Sequence, residues 1–206
     1  MKYIKVDRTF LSPTEVSQAL EYISHQKAFM LVDLEATCTE DERFKSTFQS
    51  EILEFGVCVL QGDEVHKHQI YVKPQLSAIT DFCTKLTGIS YDTVRNAPYY
   101  DQACEQLQEI IKLYGSDLQC WGSYGQYDIN KITNQSDLFR CINPIAGLKH
   151  MNIKTLAWSA ANTKKAPGLG NALKQRGLDF EGSEHSGVDD AYNIARLLKY
   201  LLNTRN

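Results

Sequence analysis

Asp33 and Glu35 are two acids separated by a single residue at the end of the apolar run AFMLVDLEATC. Successive side chains of a β-strand point to opposite faces, so both carboxylates would share one face while Leu34 points into the other layer. Two anions so close together repel each other, and a hard divalent cation such as Mg²⁺, which binds carboxylate oxygen, would stabilise the pair. The chemistry indicated is metal binding, although an ordinary pair of surface acids would show the same spacing.

A further acid, Asp128, lies in the segment WGSYGQYDINKI, after a predicted strand and at the start of a predicted helix. An acid in this position can simply complement the positive end of the helix dipole. A strand followed by a glycine-containing loop and a helix nevertheless places Asp128 near the carboxyl edge of the sheet, where α/β sheets tend to carry their sites. Asp128 is therefore a candidate for the same site.

The segment HSGVDDAYNIARLL places two adjacent aspartates at the start of another predicted helix. If Ser186 caps this helix, Asp189 falls at the third helical position, where its carboxylate can reach back to the cap. Asp190 lies about 100° further round the helix, on the apolar face, where a carboxylate needs a partner. The apolar residues of that face are Ile194, Leu197 and Leu201.

His185 stands immediately before this helix and would lie near its buried face. An imidazole has an ordinary pKa of about 6.5, which suits proton transfer near neutral pH. A histidine in this position is more often a surface or capping residue, because a neutral imidazole tolerates most environments.

The elements that must position these groups can be predicted from the apolar pattern. The pattern predicts strands at 28–34, 52–60, 65–72 and 118–123, with the hairpin-turn composition QGDE between the second and the third. It predicts a first helix capped by Ser12 in SPTE, a helix after Pro98 that Gly115 ends, and further helices at 127–138, 153–161, 169–176 and 187–203. An early hairpin followed by alternating strands and helices predicts an α/β protein with helices packed against a mixed sheet.

The composition predicts one globular domain over 1–206, with a helical extension at 1–27 before a core at 28–206. The formal net charge of -3 argues against a wholly basic surface but leaves room for a local basic face. The six cysteines show neither CxxC pairs nor zinc-like spacing, so we expect reduced core residues. No run resembles a signal peptide or a membrane span, and we therefore expect a cytoplasmic protein that engages no membrane. No protein partner can be inferred.

The segment from Arg140 to Leu178 contains basic residues and neither Asp nor Glu. Its basic residues are Arg140, Lys149, Lys154, Lys164, Lys165, Lys174 and Arg176. This segment is the candidate for contacts with the phosphates of a nucleic acid, foremost through Lys164 and Lys165, although ordinary solvated helix faces would also explain it. Tyr127 and Trp158 could stack on bases, or could be rim and core aromatic residues.

Four acids and one histidine, in this order and with these flanking residues, resemble the site of the DEDDh 3′-to-5′ exonucleases. The residues concerned are Asp33, Glu35, Asp128, His185 and Asp190. The segments EATC, FCTKLTGIS, QYDINKI and GLDFEGSEHSGVDDAYNIARLL are similar to the enhanced-RNAi-type subfamily, which trims the 3′ ends of histone mRNA, small interfering RNA and ribosomal RNA. The resemblance covers roughly residues 28–202.

The resemblance implies a ribonuclease-H-like fold with a mixed five-stranded sheet, and a nuclease that releases nucleoside 5′-monophosphates from the 3′ end of RNA, with single-stranded DNA as a further candidate substrate. It implies two Mg²⁺ ions, replaceable by Mn²⁺, held by Asp33, Glu35, Asp128 and Asp190. His185 would be the general base, and Glu35 would also contact the terminal 3′-hydroxyl. Ala36, Leu86 and Thr87 would surround the terminal nucleotide, although LTGI can also be explained as a helix end stopped by Gly88.

Two features depart from the subfamily. Its animal members carry an additional nucleic-acid-binding module before the nuclease, whereas only about 27 residues precede the first predicted strand here, too few for such a module. The loop TEDERFKSTFQS is also longer and more polar than usual. A catalytically silent nucleic-acid-binding module on the same fold is the alternative, and such a protein would be expected to have lost one of the five site residues. All five are present, which favours the enzyme.

Overall fold

The computed structural model describes residues 10–43, 47–161 and 163–204, and within them five strands form one sheet. The strands are β1 Ala28–Ala36, β2 Ile52–Gln61, β3 Glu64–Tyr71, β4 Leu118–Ser123 and β5 Lys149–Asn152. Their order across the sheet is β3-β2-β1-β4-β5. The β1–β2 and β2–β3 pairs are antiparallel, and the β1–β4 and β4–β5 pairs are parallel. The predicted mixed sheet is confirmed.

Helices cover both faces of this sheet. They are α1 Pro13–Ser24, α2 Asp81–Thr87, α3 Tyr91–Val94, α4 Tyr100–Tyr114, α5 Tyr127–Phe139, α6 Ile153–Ala161, α7 Leu169–Lys174 and α8 Gly187–Asn203, with a 3-10 turn at Gly115–Asp117. Apolar residues of α1, α6, α7 and α8 form one core with one face of the sheet, and those of α4 and α5 form a second core on the other face. No helix among the described residues combines the length and the apolar character needed to cross a membrane.

The extension before β1 belongs to the first of these cores. Residues 1–9 of the predicted extension lie outside the described residues, and α1 begins at Pro13 with the predicted capping box between Ser12 and Glu15. Val16, Leu20 and Ile23 are buried in the same cluster as residues of α6 and α8. Helix α1 therefore contributes to the stability of the layer that contains α8.

Strand β5 and helices α2 and α3 were not located from the apolar pattern. Strand β5 is KHMN, four residues that are all at least partly exposed, so it lacks the apolar run that marks the other strands. Helix α2 ends at Thr87 with Gly88 in the left-handed conformation (φ 72°), as the segment LTGI suggested. Helix α7 ends at Lys174, two residues earlier than predicted.

The N-terminus of α8 lies directly against the backbone of β1 and β2. A Cβ atom added to Gly56 of β2 would lie 1.8 Å from the carbonyl carbon of Gly187, the first residue of α8. A Cβ atom added to Gly187 would lie 3.1 Å from the carbonyl oxygen of Asp33. Any side chain at Gly56 would therefore displace α8, and with it the histidine and the aspartate that stand at its start.

We expect Gly56→Ala to destabilise the protein by about 3 kcal/mol or more, or to prevent folding, because the new methyl group would overlap the α8 backbone. Gly147→Ala is the matched control, since a Cβ atom there meets nothing within 4 Å. The control should change stability by less than about 0.5 kcal/mol. Urea unfolding measures both, and equal stabilities for the two variants would contradict the close approach.

Candidate active site

A cleft of about 960 Å³ opens where the carboxyl end of β1 meets the N-terminal ends of α5 and α8. Seven of the residues proposed for metal binding, catalysis or the terminal nucleotide line it: Asp33, Glu35, Ala36, Leu86, Thr87, His185 and Asp190. Asp128 is buried beside them. Lys174 also lines the cleft, whereas Lys164 and Lys165 are exposed and lie outside its described lining.

Asp33 and Glu35 project from the face of β1 that packs toward α8. Phe29 and Leu31 precede them on that face and are buried in the core with α8, whereas the alternate residues, such as Leu34, belong to the opposite core. This alternation is the one that the sequence predicted. Glu35 is only 8% exposed, so its carboxylate is largely withdrawn from water.

Asp128 lies near the gap that opens between β1 and β4. The parallel register of these strands runs as far as Leu31 and Gly122. Beyond that point the backbone N–H of Leu34 and the hydroxyl group of Ser123 both act to lower the pKa of Asp128, against the rise that burial causes. The third acid is thus held at the carboxyl ends of both strands, as the strand–loop–helix pattern predicted.

The predicted cap of α8 is only partly right. Ser186 occupies the N-cap position, but among the described residues its hydroxyl group makes no capping hydrogen bond. Glu54 of β2 replaces it, because its carboxylate accepts from the backbone N–H groups of Gly187 (3.2 Å) and Val188 (3.0 Å). Glu54 lies 133 positions before Gly187, so the local pattern could not reveal this cap.

Asp189 has a structural task that differs from the predicted one. Its carboxylate accepts from the backbone N–H of Ser183 at 3.0 Å and lies 3.6 Å from the ammonium group of Lys67. Asp189 therefore binds the loop before α8 and Lys67 of strand β3. The prediction that its carboxylate reaches back to the cap of α8 is wrong. The helix start already has Glu54 as its acceptor, which leaves the Asp189 carboxylate free to reach the loop.

His185 and Asp190 are joined at the mouth of the cleft. The backbone N–H of His185 donates to Oδ2 of Asp190 at 2.9 Å, and His185 has a left-handed backbone with φ 63°. One ligand atom from each of Glu35, His185 and Asp190 can be chosen so that all three lie within 4.8 Å of one another. The exposed imidazole and two of the acids therefore face one small volume.

Burial raises the pKa of each of the four acids, and repulsion from others of the four adds to it for Asp33, Glu35 and Asp128. Burial is the main cause for Asp33, whose pKa is well above its usual range, and the charges of Asp128 and Asp190 add to it. Burial raises the pKa of Glu35 to about 8, with further contributions from Asp190 and Glu54. Burial also raises the pKa of Asp128 and that of Asp190 to about 6. The cluster is costly as a set of bare anions.

This donor set fits a hard divalent cation. Carboxylate oxygens are the ligands that Mg²⁺ and similar ions prefer, and a positive charge would relieve the repulsion that raises these pKa values. The imidazole of His185 adds a nitrogen atom at the edge of the same volume. Metal binding is thus the chemistry for which the cluster is suited.

Sequence reasoning missed Glu54 and Ser123, which hold other parts of the site. Glu54 is 1% exposed and interrupts the apolar strand ILEFGVCVL, and a charge inside a buried strand was the signal that could have found it. Of the two candidate stacking residues, Tyr127 is 55% exposed and lines the cleft. Trp158 instead donates its indole N–H to the Thr163 carbonyl oxygen at 2.6 Å.

The family model that describes exonucleases, RNase T, matches residues 30–198. The chain therefore belongs to this exonuclease family. Among solved structures, the nuclease domain of 3′hExo, a DEDDh family member bound to rAMP, has 30% sequence identity and a TM-score of 0.75, covering 88% of this chain and 94% of that one. A full-length 3′-exonuclease has 29% identity and a TM-score of 0.77, covering 86% of this chain and 61% of that one. The predicted DEDDh membership and ribonuclease-H-like fold are confirmed.

Curated relatives share this assignment. The 3′-5′ exoribonuclease 1 of Rattus norvegicus is 33% identical over 191 residues, which cover 87% of this chain and 54% of that protein. The protein of the same name from Homo sapiens is 32% identical over 193 residues, covering 87% and 53%. The chain thus spans about half the length of these relatives.

The raised pKa of Glu35 predicts a pH dependence of the metal-free protein. The folded state holds the Glu35 proton above the ordinary pKa of 4.5, so the stability that this group contributes is complete below pH 4.5 and is lost as the pH rises to about 8. Glu35→Gln removes this titration. In chelator, we expect the variant to gain stability relative to the parent protein across this interval, by about 1 kcal/mol or more at its upper end.

Urea unfolding across the interval measures the difference between the two proteins. Addition of Mg²⁺ should reverse the sign of this difference at the upper end, because a carboxylate is a stronger ligand for the ion than an amide is. A difference that stays constant with pH in chelator would contradict the burial of a proton-binding Glu35.

Proposed function

We propose that the chain is a metal-dependent 3′-to-5′ exonuclease that removes nucleoside 5′-monophosphates one at a time from the 3′ end of RNA. One observation carries the proposal: four buried or half-buried acids with raised pKa values converge with one histidine on a single cleft. The names of the relatives support the direction of cleavage and the preference for RNA. Single-stranded DNA is a second candidate substrate.

We assign Asp33, Glu35, Asp128 and Asp190 to metal binding, with two Mg²⁺ ions as the cofactor and Mn²⁺ as a substitute. Such ions supply Lewis-acid stabilisation of the phosphate and lower the pKa of water. The chain holds these acids from three separate elements, β1, α5 and α8. Their burial and mutual repulsion support the assignment, because a set of carboxylates in this state is stabilised by cations.

His185 is assigned the role of general base, which accepts a proton from the attacking water. Its ring lies at the open edge of the acid cluster, so it can contact water and the terminal phosphate together. The hydrogen bond from its backbone N–H to Asp190 ties the position of His185 to that of a proposed metal ligand. General-base catalysis contributes typically about 10² to 10⁴ in rate, and this is the loss we assign to removal of the imidazole.

Ala36, Leu86 and Thr87 are assigned to the pocket of the terminal nucleotide, and Glu35 to its 3′-hydroxyl. All four line the cleft, and Leu86 is 39% exposed, so an apolar surface is open to a base or a sugar. Thr87 is largely buried, and its hydroxyl group donates to the carbonyl oxygen of Cys83 at 2.9 Å. Its methyl group rather than its hydroxyl group is then available for packing.

In the basic segment from Arg140 to Leu178, some side chains bind other parts of the protein and others are exposed and could bind RNA. The Arg176 guanidinium donates to the carbonyl oxygens of Ala172 and Ala157, at 2.9 and 2.7 Å, and therefore joins α7 to α6. Lys164 and Lys165 are exposed between these helices. We assign them to phosphates upstream of the terminal nucleotide, and Lys174, which lines the cleft, to a phosphate nearer the cleavage point.

The cysteines support a reducing compartment, and we propose a cytoplasmic location on this ground. The described residues include all six cysteines, and each of them is a free thiol. Disulfides are rare where glutathione and thioredoxin keep thiols reduced.

Cleavage of 5′-labelled RNA with Mg²⁺, Mn²⁺ or chelator tests the proposed function. We expect a ladder of single-nucleotide steps with either ion, release of nucleoside 5′-monophosphates, and loss of cleavage in chelator. Asp190→Asn should lower turnover by about a hundredfold or more, since a metal ligand is at least as important as the groups that orient it. Cleavage in chelator, or cuts inside a circular RNA, would contradict the proposal.

Asp189→Asn is the matched control for this experiment, because it changes the adjacent residue in the same way. It should keep turnover within about threefold at saturating Mg²⁺ and lose about 0.5 to 1 kcal/mol of stability through weaker contacts with Ser183 and Lys67. An inactive Asp189→Asn beside an active Asp190→Asn would contradict the assignment of the metal ligand.

Replacement of Lys164 and Lys165 by Glu tests the proposed path of the RNA. Binding of a long oligonucleotide should weaken, and the slope of its salt dependence should fall by about one for each lost phosphate contact. Cleavage of a dinucleotide, which is too short to reach these residues, should fall much less. Lys112→Glu on α4, at the opposite face of the sheet, is the control, and equal losses for long and short substrates would contradict the assignment.

A further inference from the structure

Ser123, which is buried, and His150, which is half-buried, form a hydrogen-bonded pair near Asp128. The Ser123 hydroxyl oxygen lies 2.9 Å from Nε2 of His150 and 3.1 Å from the carbonyl oxygen of Gly125. The same hydroxyl group lies close enough to the Asp128 carboxyl group to lower its pKa, against the rise that burial causes. Ser123 is fully buried at the end of β4, and His150 projects from the neighbouring strand β5, in register with Trp121.

The proton count determines what each partner does. A serine hydroxyl group has one proton to donate and can accept two hydrogen bonds. The Gly125 carbonyl oxygen and the Asp128 carboxylate can only accept, so both compete for the Ser123 proton. If Nε2 of His150 carries a proton, it donates to the Ser123 oxygen and adds no third competitor. The serine proton then has only the Gly125 carbonyl oxygen and the Asp128 carboxylate as acceptors.

The surroundings of His150 favour this arrangement. Its ring lies against the buried Trp121 ring, with the centroids 4.4 Å apart, so its position is set by packing. Burial lowers the pKa of His150 to about 4, so the imidazole is neutral at pH 7 and holds one proton. A neutral histidine that donates through Nε2 can satisfy Ser123 without introducing a charge beside the acid cluster.

We propose that Ser123 and His150 are positioning residues, which together orient the Asp128 carboxylate toward the metal side of the cleft. This rests on the proposed function, in which Asp128 is a metal ligand. The backbone N–H groups of Leu34 in β1 and of Asp128 itself in α5 also lower the pKa of that carboxyl group. Ser123 adds a side-chain hydroxyl group to these backbone groups. His150 of β5 contacts that hydroxyl group and so influences Asp128 through Ser123.

Mn²⁺ binding to the substrate-free protein, followed by electron paramagnetic resonance, tests the pair directly. Ser123→Ala should weaken Mn²⁺ binding by about 10-fold to 100-fold, the range typical for groups that orient a metal ligand. His150→Phe keeps a ring against Trp121 but removes the donor, and should weaken binding in the same direction. His150→Gln places an amide N–H near the position of Nε2 and should restore most of the affinity.

Ser136→Ala is the matched control, because Ser136 is also a buried serine and lies 3.0 Å from the hydroxyl group of Tyr100. It should lose stability without a change in Mn²⁺ affinity, which separates orientation of Asp128 from general destabilisation. RNA cleavage by Ser123→Ala should recover at high Mg²⁺, because the metal site is weakened and not abolished. Thermal unfolding is recorded for every variant, and if Ser123→Ala does not fold, the comparison of His150→Phe with His150→Gln carries the test.

Unchanged Mn²⁺ affinity in Ser123→Ala would overturn the proposal, and so would His150→Gln binding as weakly as His150→Phe. Equal loss in Ser136→Ala would also overturn it, because the effect would then follow stability alone. Failure of the unaltered protein to bind Mn²⁺ or to cleave RNA would instead contradict the proposed function, so the two failures are distinguishable.

Discussion

The close approach of the α8 N-terminus to the β1 and β2 backbone is the constraint on which the site depends. Gly56 and Gly187 permit this approach, and the buried carboxylate of Glu54 satisfies the first N–H groups of the helix. Because Asp190 lies in the first turn of α8, its distance from the β1 acids is set by this contact between backbones. Glu54 thus links two features that the chain needs together: it caps the helix, and it adds a further negative charge beside Glu35.

The same geometry carries an energetic cost. Acids with raised pKa values are disfavoured as bare anions, so ionising them without a metal lowers the free energy of unfolding. Burial of the two apolar cores must offset this loss. The acids are held from several directions, by the backbone N–H of His185 for Asp190 and by strand β1 itself for Asp33. A site arranged in advance loses little free energy to rearrangement when it meets cations and a phosphodiester, and this is the usual advantage of preorganised electrostatics.

The proposed sites for chemistry and for binding a longer RNA lie on different parts of the chain. The acids come from β1, α5 and α8, whereas the exposed lysines lie between α6 and α7. Arg176 joins those two helices through backbone carbonyl oxygens. It therefore stabilises the two helices between which Lys164 and Lys165 are exposed. The proposed phosphate path is separate from the acid cluster, so contacts with RNA could change there without altering the carboxylates.

The sequence by itself determined the mixed α/β class, four of the five strands, and the common face of Asp33 and Glu35, because alternation along a strand is a local property. It also distinguished Asp190 from Asp189, since helical periodicity separates neighbours by about 100°. The tertiary structure alone decided the cap of α8, the loop contact of Asp189 and the pairing of His150 with Ser123. Each of these joins residues from separate elements, and β5 is too short and too exposed to show its own periodicity. Local patterns report which face a side chain occupies, and only the packed chain determines which distant group it meets there.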